Sequence, residues 1–374
     1  MTKARFIYDS SMKNSDLYYA THFLCGDSFV FFQFGRKKFM AVSDLEVDRA
    51  KKQAEVDEVL KMSKYTEKAK ALSKQADFID ILHEIFKEYG IKELVVPEST
   101  SFQLVDKLRQ KGYWVEAGSS PFFAERYIKT NEEKKFILES QRAVFASIGM
   151  AREVLKKSRI KGTELIYDGR KLTSEGLRRR IEVFLLERGF QADETIVACG
   201  AHSVDPHDVG DGPLRPNEAI IIDVFPKSGK TRFYGDATRT FCKGRASDGL
   251  KRLYDIVKKG QELALSMVKS GVKGRNIHDA VLSFFTKEGY PTCEREGRMV
   301  GFFHGTGHSL GLDVHEEPAR INKSDYRLRS GNVFSVEPGL YYPRVGGVRI
   351  EDLVYVTRHG CEILGSFPKT LEIR

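Results

Sequence analysis

Four short stretches of the sequence contain ionisable side chains that a purely structural role does not easily explain. Asp223 ends the apolar run 219–222, and Asp236 follows thirteen positions later, after a segment typical of a hairpin turn. Three of the nine histidines lie inside the glycine-rich stretch 301–318, where together they span twelve positions. A carboxylate buried without a partner costs several kcal/mol, so each such group needs a cation or several hydrogen bonds. The candidate metal ligands are Asp223, Asp236, His308, Glu337 and Glu351.

These candidate ligands have the composition of a divalent-metal site. Carboxylate oxygens with a single imidazole suit Mn²⁺, Co²⁺, Fe²⁺ or Zn²⁺ without choosing among them. Because bridging carboxylates can hold two ions roughly 3.5–4 Å apart, a water between such ions becomes a nucleophile for a carbonyl carbon. Each residue alone also has an ordinary explanation, such as a strand-end turn for Asp223 or a surface pair between Glu351 and Arg349.

The elements that must position these residues fall into two segments of different character. Residues 1–128 alternate strand-like and helix-like stretches, which is typical of an α/β domain. The pattern breaks between Gly118 and Asn131, where we predict the domain boundary, and a long helix is expected over 132–157. Residues 129–374 group helices and antiparallel strands in blocks, which indicates an α+β domain.

Hydrophobic periodicity and stop signals predict the remaining elements. Helices are expected over 45–54, 78–89, 102–111, 174–188, 250–269 and 277–287. Strands are expected over 28–34, 38–42, 93–97, 219–225, 331–337 and 347–356.

Composition excludes several classes of protein. With 41% apolar and 30% charged residues among 374, the chain is neither disordered nor collagen-like. No apolar run approaches the roughly 20 residues of a transmembrane helix, and the N-terminus has no signal-like stretch, so we expect a cytoplasmic protein without membrane contact. The net charge of +9 is spread along the chain, which does not favour nucleic acid as a partner. Five widely spaced cysteines predict neither a disulfide framework nor a thiolate zinc site.

The chain resembles the pita-bread-fold metallopeptidases, which include prolidase and aminopeptidase P, in a set of ordered motifs. The motifs are Asp223, Asp236-Ala-Thr-Arg-Thr, His304-Gly-Thr-Gly-His308 through His315-Glu-Glu-Pro, Val336-Glu337-Pro-Gly and Gly347-Val-Arg-Ile-Glu351-Asp. The first segment resembles the creatinase-type N-terminal domain of prolidase and aminopeptidase P, which methionine aminopeptidases lack. The resemblance implies an α/β domain over 1–128, a pita-bread catalytic domain over 129–374, and a homodimer.

The same resemblance implies roles for individual residues. The five candidate ligands would hold two divalent ions, with Asp236 and Glu351 bridging. Mn or Co is the expected metal, ahead of Zn or Fe. Glu337 would also shuttle a proton, His207 would lie near the scissile amide, and His315 would stabilise the tetrahedral oxyanion. The other residues expected to contact or support the substrate are His304 in the pocket, Arg320 as a partner of a proline carboxylate, and Arg349 behind the bridging glutamate.

The function implied is metal-dependent hydrolysis of an Xaa-Pro bond at the N-terminus of a peptide. A prolidase acting on dipeptides and an aminopeptidase P acting on longer chains both fit. The alternatives are a broader-specificity metallo-aminopeptidase of the same fold and a non-catalytic peptide- or protein-binding member. Two departures from the family pattern, Phe225 where glycine is frequent and a slightly longer hairpin before Asp236, are expected to affect substrate choice.

Overall fold

The computed structural model describes residues 2–316 and 320–374, in two compact units. The first unit ends at Arg126 and the second begins at Tyr127. Within the described ranges, no helix is both long and apolar enough to cross a membrane.

The first unit is built on a mixed six-stranded sheet in the order β4-β3-β2-β1-β5-β6. Its strands are β1 Thr2–Asp9, β2 Phe29–Phe34, β3 Lys37–Val42, β4 Glu58–Lys61, β5 Ile91–Val96 and β6 Trp114–Ala117. Its helices are α1 Ser15–Thr21, α2 Val47–Gln53, α3 Met62–Leu72, α4 Phe78–Glu88 and α5 Phe102–Gln110. Alternating β2 residues enter the cores on the two faces of the sheet, with Phe32 in one and Phe31 in the other.

Among its described residues, the second unit contains four longer helices and several small sheets. The helices are α6 Asn131–Lys157, α7 Ser174–Leu186, α8 Asp248–Met267 and α9 Gly274–Lys287. Helix α6 begins at a capping box, in which the Thr130 hydroxyl accepts from the Glu133 backbone N–H while the Glu133 carboxylate accepts from that of Thr130. This cap satisfies backbone donors that the helix itself leaves unpaired.

Short strands follow one another through this unit. They are β7 Arg159–Lys161, β8 Glu164–Tyr167, β9 Arg170–Lys171, β10 Phe190–Gln191, β11 Ile196–Cys199, β12 Ile220–Val224, β13 Lys227–Ser228, β14 Ala237–Lys243, β15 Cys293–Arg295, β16 Arg298–Val300, β17 Gly307–His308, β18 Arg320–Ile321, β19 Val333–Val336, β20 Gly339–Tyr342, β21 Gly346–Arg349, β22 Asp352–Val356, β23 Cys361–Ile363 and β24 Glu372–Ile373.

Two large apolar cores and one small one, among the described residues, support the sheets of the second unit. Helices α6 and α7 pack against β11, β12 and β14, which belong to a sheet of order β11-β12-β14-β24. Helices α8 and α9 pack against residues of β19 to β22 in the other large core. Because β12 and β14 pair antiparallel with Asp223 opposite Thr238, the predicted hairpin brings the two aspartate segments side by side.

Some predicted elements were wrong. The single strand predicted over 347–356 is two strands, β21 and β22, which lie in different sheets and leave Glu351 at their junction. The predicted helix 45–54 is shortened to α2, and helices α1 and α3 were missed. Helix α3 was missed because its sequence contains few apolar residues to mark a helical period.

Candidate active site and metal centre

Strand ends deliver the five candidate ligands to one cavity of the second unit, with a volume of about 700 Å³. Asp223 lies near the end of β12, and Asp236 comes immediately before β14. His308 ends β17, Glu337 follows β19, and Glu351 sits between β21 and β22. Side chains far apart in the sequence therefore meet because several short strands end at one place.

Three of the five candidate ligands lie close enough together to hold one metal ion. One ligand atom from each of Asp236, His308 and Glu351 can be chosen so that all lie within 4.8 Å of one another. The Nε2 atom of His308 is 3.6 Å from Asp236 Oδ2 and 3.4 Å from Glu337 Oε1. The 3.4 Å distance thus connects Glu337 to the same group of atoms.

Burial dominates the electrostatics of this cluster. Burial and the charges of Glu351 and Asp223 raise the pKa of Asp236 well above its usual range. Burial and the neighbouring carboxylates Glu337 and Asp223 do the same to the pKa of Glu351. Burial also raises the pKa of Glu337 to about 7 and lowers that of His308 to about 4. The protein thus brings together carboxylates that repel one another unless protons or cations lie between them.

One oxygen of Asp223 shows that these residues fit a bound cation. Asp223 Oδ2 accepts a hydrogen bond of 2.6 Å from Arg349 Nη2. Asp223 Oδ1 is buried and has no hydrogen-bond partner among the described residues. An unpaired buried carboxylate oxygen is costly, whereas a divalent ion satisfies it. The donor set, rich in oxygen with one nitrogen, suits the first-row divalent metals.

Hydrogen bonds hold the candidate ligands in place. Thr238 Oγ1 donates to Glu351 Oε2 over 2.8 Å and accepts from Arg349 Nε over 3.2 Å. The Ser335 hydroxyl donates to Glu337 Oε1 over 3.3 Å and accepts from the His308 backbone N–H over 3.0 Å. Such partners restrict the orientation of metal ligands.

Close backbone packing places His308 beside the Ser335 hydroxyl. A Cβ atom on Gly307 would lie 1.8 Å from the Ser335 carbonyl oxygen, so only glycine fits there. Residue 307 is therefore constrained by the approach of β17 to β19, which brings His308 into the cluster.

Tyr341 is a functional candidate that sequence reasoning missed. His304 Nδ1 donates to the Gly305 carbonyl over 2.8 Å, so its Nε2 accepts from the Tyr341 hydroxyl at 2.9 Å. That hydroxyl in turn accepts from Arg349 Nη1 over 3.0 Å. Burial keeps His304 neutral by lowering its pKa to about 3. The sequence feature that could have indicated Tyr341 is its position four residues after Glu337. It lies in β20, which pairs with β21, the strand that carries Arg349.

A buried ion pair behind Glu351 was also missed. Arg239 Nη2 lies 2.6 Å from Asp352 Oδ1, and Arg239 Nη1 donates to the Glu351 carbonyl oxygen. Lys369 Nζ lies 2.7 Å from Asp352 Oδ2. The signal was the charged Arg239 within a strand that is buried along its whole length.

The other predicted residues also line the cavity: His207, His304, His315, Arg320 and Arg349. The ring of His315 packs edge-to-face on that of His308, with centroids 4.5 Å apart. Phe225, the departure from the family pattern, lines the cavity as well. Glu317 and Pro318 of the His315 motif lie outside the described residues. The individual roles assigned to these side chains stay predictions.

Comparison with known proteins identifies the family. The family model "Metallopeptidase family M24" matches residues 139–358, which is more than half of the chain and includes all five candidate ligands. The chain belongs to metallopeptidase family M24. This M24 chain is 28% identical over 335 residues to the Xaa-Pro dipeptidase of Pyrococcus horikoshii, covering 88% of this chain and 84% of that protein. Membership of a metallopeptidase family implies divalent metal ions.

Solved structures of similar chains cover both units. The Xaa-Pro dipeptidase from Bacillus anthracis matches with a TM-score of 0.83 and 26% identity over 100% of this chain and 95% of that one. The prolidase from Pyrococcus horikoshii OT3 matches with a TM-score of 0.79 and 26% identity over 99% and 95%. The X-Pro aminopeptidase from Thermotoga maritima, at 24% identity, a TM-score of 0.82 and coverage of 99% and 97%, shows the fold alone. The expected fold class, α/β followed by α+β pita-bread, is confirmed.

Proposed function

We propose that this M24 peptidase hydrolyses the Xaa-Pro bond at the N-terminus of short peptides, with dipeptides as its preferred substrates. The observation that carries the proposal is the buried carboxylate cluster with its unpaired Asp223 oxygen, at the edge of a peptide-sized cavity. The preference for proline is supported by the Pyrococcus horikoshii Xaa-Pro dipeptidase, whose similarity spans 88% of the chain.

The cluster would hold two divalent ions. Asp223, Asp236, His308, Glu337 and Glu351 would hold them. When bound, the ions would polarise the scissile carbonyl and make a water molecule acidic enough to serve as the nucleophile. Mn²⁺ or Co²⁺ is the proposed metal, although Zn²⁺ and Fe²⁺ also suit the ligand set.

Glu337 would act as general base and then as general acid. Its Oε1 atom lies 3.4 Å from His308 Nε2, so the carboxylate stands within the cluster at which the attacking water would be held. Its carboxylate would take the proton of the attacking water and deliver it to the leaving proline nitrogen. The Ser335 hydroxyl would orient that carboxylate through its 3.3 Å hydrogen bond to Oε1.

The histidines and arginines would hold the substrate. His207 and His315 are exposed residues that line the cavity, so a peptide can reach both. The His315 imidazole would donate to the substrate carbonyl oxygen as negative charge develops on it. His207 would lie near the scissile amide, His304 would line the pocket, and Arg320 would pair with the free carboxylate of a dipeptide's proline.

Substrate comparison tests this proposal. The chain loaded with Mn²⁺ is given matched Xaa-Pro and Xaa-Ala dipeptides and an Xaa-Pro-Yaa tripeptide. We expect the Xaa-Pro dipeptide to have the highest kcat/KM and the Xaa-Ala dipeptide to be at least about 10²-fold worse. Equal turnover of the Xaa-Pro and Xaa-Ala dipeptides would overturn the proline preference, and faster turnover of the tripeptide would favour aminopeptidase P. A homodimer and a cytoplasmic location stay predictions.

A further inference from the structure

A buried ion pair lies beside the cavity without lining it. Lys129 Nζ is 2.5 Å from Glu316 Oε2, and both side chains are only 1% exposed. Glu316 follows His315, the proposed oxyanion-stabilising residue, directly in the chain. The pair thus joins the segment before α6 to the loop that follows His308 and carries His315.

The carboxylate of Glu316 organises this loop. Its Oε1 accepts from the Leu312 backbone N–H over 2.9 Å, and the Glu316 backbone N–H donates to the Ser309 carbonyl over 3.0 Å. A Cβ atom on Gly311 would lie 2.7 Å from the same carboxylate, so the loop folds closely around it. The Gly311 carbonyl also accepts from the Tyr234 backbone N–H over 2.9 Å. Residues 309–316 are therefore folded around Glu316, with one hydrogen bond to its carboxylate and one from its backbone N–H.

Lys129 supplies a fixed point for this carboxylate. Its backbone N–H donates to the Gly331 carbonyl over 2.8 Å. The neighbouring Tyr127 carbonyl accepts from Asn332 Nδ2 over 2.7 Å. The capped start of α6 at Thr130 follows immediately. With its backbone restrained on both sides, Lys129 holds its ammonium group at a defined position.

We propose that the Lys129–Glu316 ion pair is a positioning device that holds His315 against His308 and in line with the substrate carbonyl. The inference rests on the proposed function, in which His315 donates to that carbonyl. A buried pair of apolar side chains can stabilise a protein as well as a buried ion pair does. A charge-assisted hydrogen bond, in contrast, is short and directional, which suits a group that must set the orientation of a loop.

A neutral double variant tests the device. K129M/E316Q removes both charges, while the glutamine carbonyl can still accept from Leu312. We expect unchanged metal content and a kcat for an Xaa-Pro dipeptide that falls about 10²-fold, because small displacements of a catalytic group have effects of that size. KM should change by less than about threefold, because the hydrogen bond from His315 to the substrate carbonyl oxygen would form mainly in the transition state. K134M is the matched control, because Lys134 pairs with the half-exposed Glu362 and should leave kcat unchanged.

A mutant cycle with H315A separates positioning from a general structural role. If the pair acts through His315, adding K129M/E316Q to H315A lowers kcat by less than about twofold further. If K129M/E316Q lowers kcat equally in the wild-type and H315A backgrounds, or not at all in the wild type, the ion pair does not act by positioning His315. Should K129M/E316Q fail to fold, E316Q alone is compared in the same two backgrounds.

Amide exchange makes the test independent of the substrate. Backbone amides of residues 309–316 should exchange at least about tenfold faster in K129M/E316Q than in K134M, because the anchor of the loop is gone. Unchanged exchange overturns the inference. If the wild-type protein fails to cleave Xaa-Pro peptides but exchange increases as expected, the proposed function is wrong while the anchoring of the loop stands.

Discussion

Carboxylates are treated in opposite ways by the two units of this protein. In the first unit, Glu88 accepts from Lys68 over 2.5 Å, from Lys64 over 2.9 Å and from the Tyr65 hydroxyl over 2.9 Å. These hydrogen bonds, with that of Lys68 the strongest, lower the pKa of Glu88 to about 2. In the second unit, burial and mutual repulsion raise the pKa of Asp236 and Glu351 well above their usual range.

The difference shows where the protein supplies its own counter-charge and where it requires one from outside. Glu88 is surrounded by lysines and is still partly exposed to water. The cavity gathers the four candidate carboxylate ligands, of which Asp223 pairs with Arg349, and leaves Asp223 Oδ1 without a partner among the described residues. A cluster of this kind costs stability until cations bind, which is expected of a site selected for chemistry.

The largest expected effect comes from removing the proton-transfer group. E337Q keeps the volume of the side chain but cannot take a proton from water. We expect kcat for an Xaa-Pro dipeptide to fall by about 10²–10⁴-fold, the range for loss of a general acid–base group. E88Q is the matched control in the first unit and should retain the wild-type rate. Wild-type activity in E337Q would remove Glu337 from the mechanism.

The sign of the stability change distinguishes the two kinds of carboxylate. In the metal-free protein, D236N removes a buried group that its neighbours repel. We therefore expect Tm to rise by about 2–4 °C, which corresponds to roughly 1 kcal/mol in a domain of this size. Adding Mn²⁺ should raise Tm less in D236N than in the wild type, because a ligand is missing. A lower Tm for metal-free D236N would show that the cluster does not carry unfavourable repulsion.

The smallest effect concerns Glu88 and depends on pH. Its folded-state pKa of about 2 lies below the ordinary 4.5, so the stabilisation is present above pH 4.5 and is lost as pH falls towards 2. E88Q should lower the free energy of unfolding by only about 0.5–1 kcal/mol at pH 7, because the lysine partners are exposed and screened by water. Urea titrations at pH 7 and pH 3 measure the difference between E88Q and the wild type. A difference that grows on acidification would contradict this assignment.

The candidate ligands that line the cavity could be picked out from the sequence because their motifs are local. Asp223 and Glu337 each end an apolar strand, where a carboxylate is unusual, and His308 lies in a glycine-rich cluster. The cavity brings all of these residues together with the predicted histidines and arginines. The fold class was likewise predictable. Strands and helices alternate in residues 1–128, whereas helices and antiparallel strands are grouped in blocks in residues 129–374.

Other features of the site could not be read from local patterns. The apolar alternation over 347–356 continues through Ile350 and Glu351, so one strand was predicted where two strands in different sheets occur. Tyr341 and Asp352 act through hydrogen bonds to residues brought close only by folding. The Lys129–Glu316 pair joins positions 187 residues apart, a separation at which sequence spacing carries no information about contact.

Hydrolysis of an Xaa-Pro dipeptide by the chelator-treated chain, measured before and after Mn²⁺ is restored, tests the central claim about the carboxylate cluster most directly. We expect the rate to fall to background in chelator and to return once Mn²⁺ is added, because the cluster depends on cations for both charge balance and nucleophile activation. The same rate with and without chelator, in protein shown to be free of metal, would contradict a metal-dependent active site.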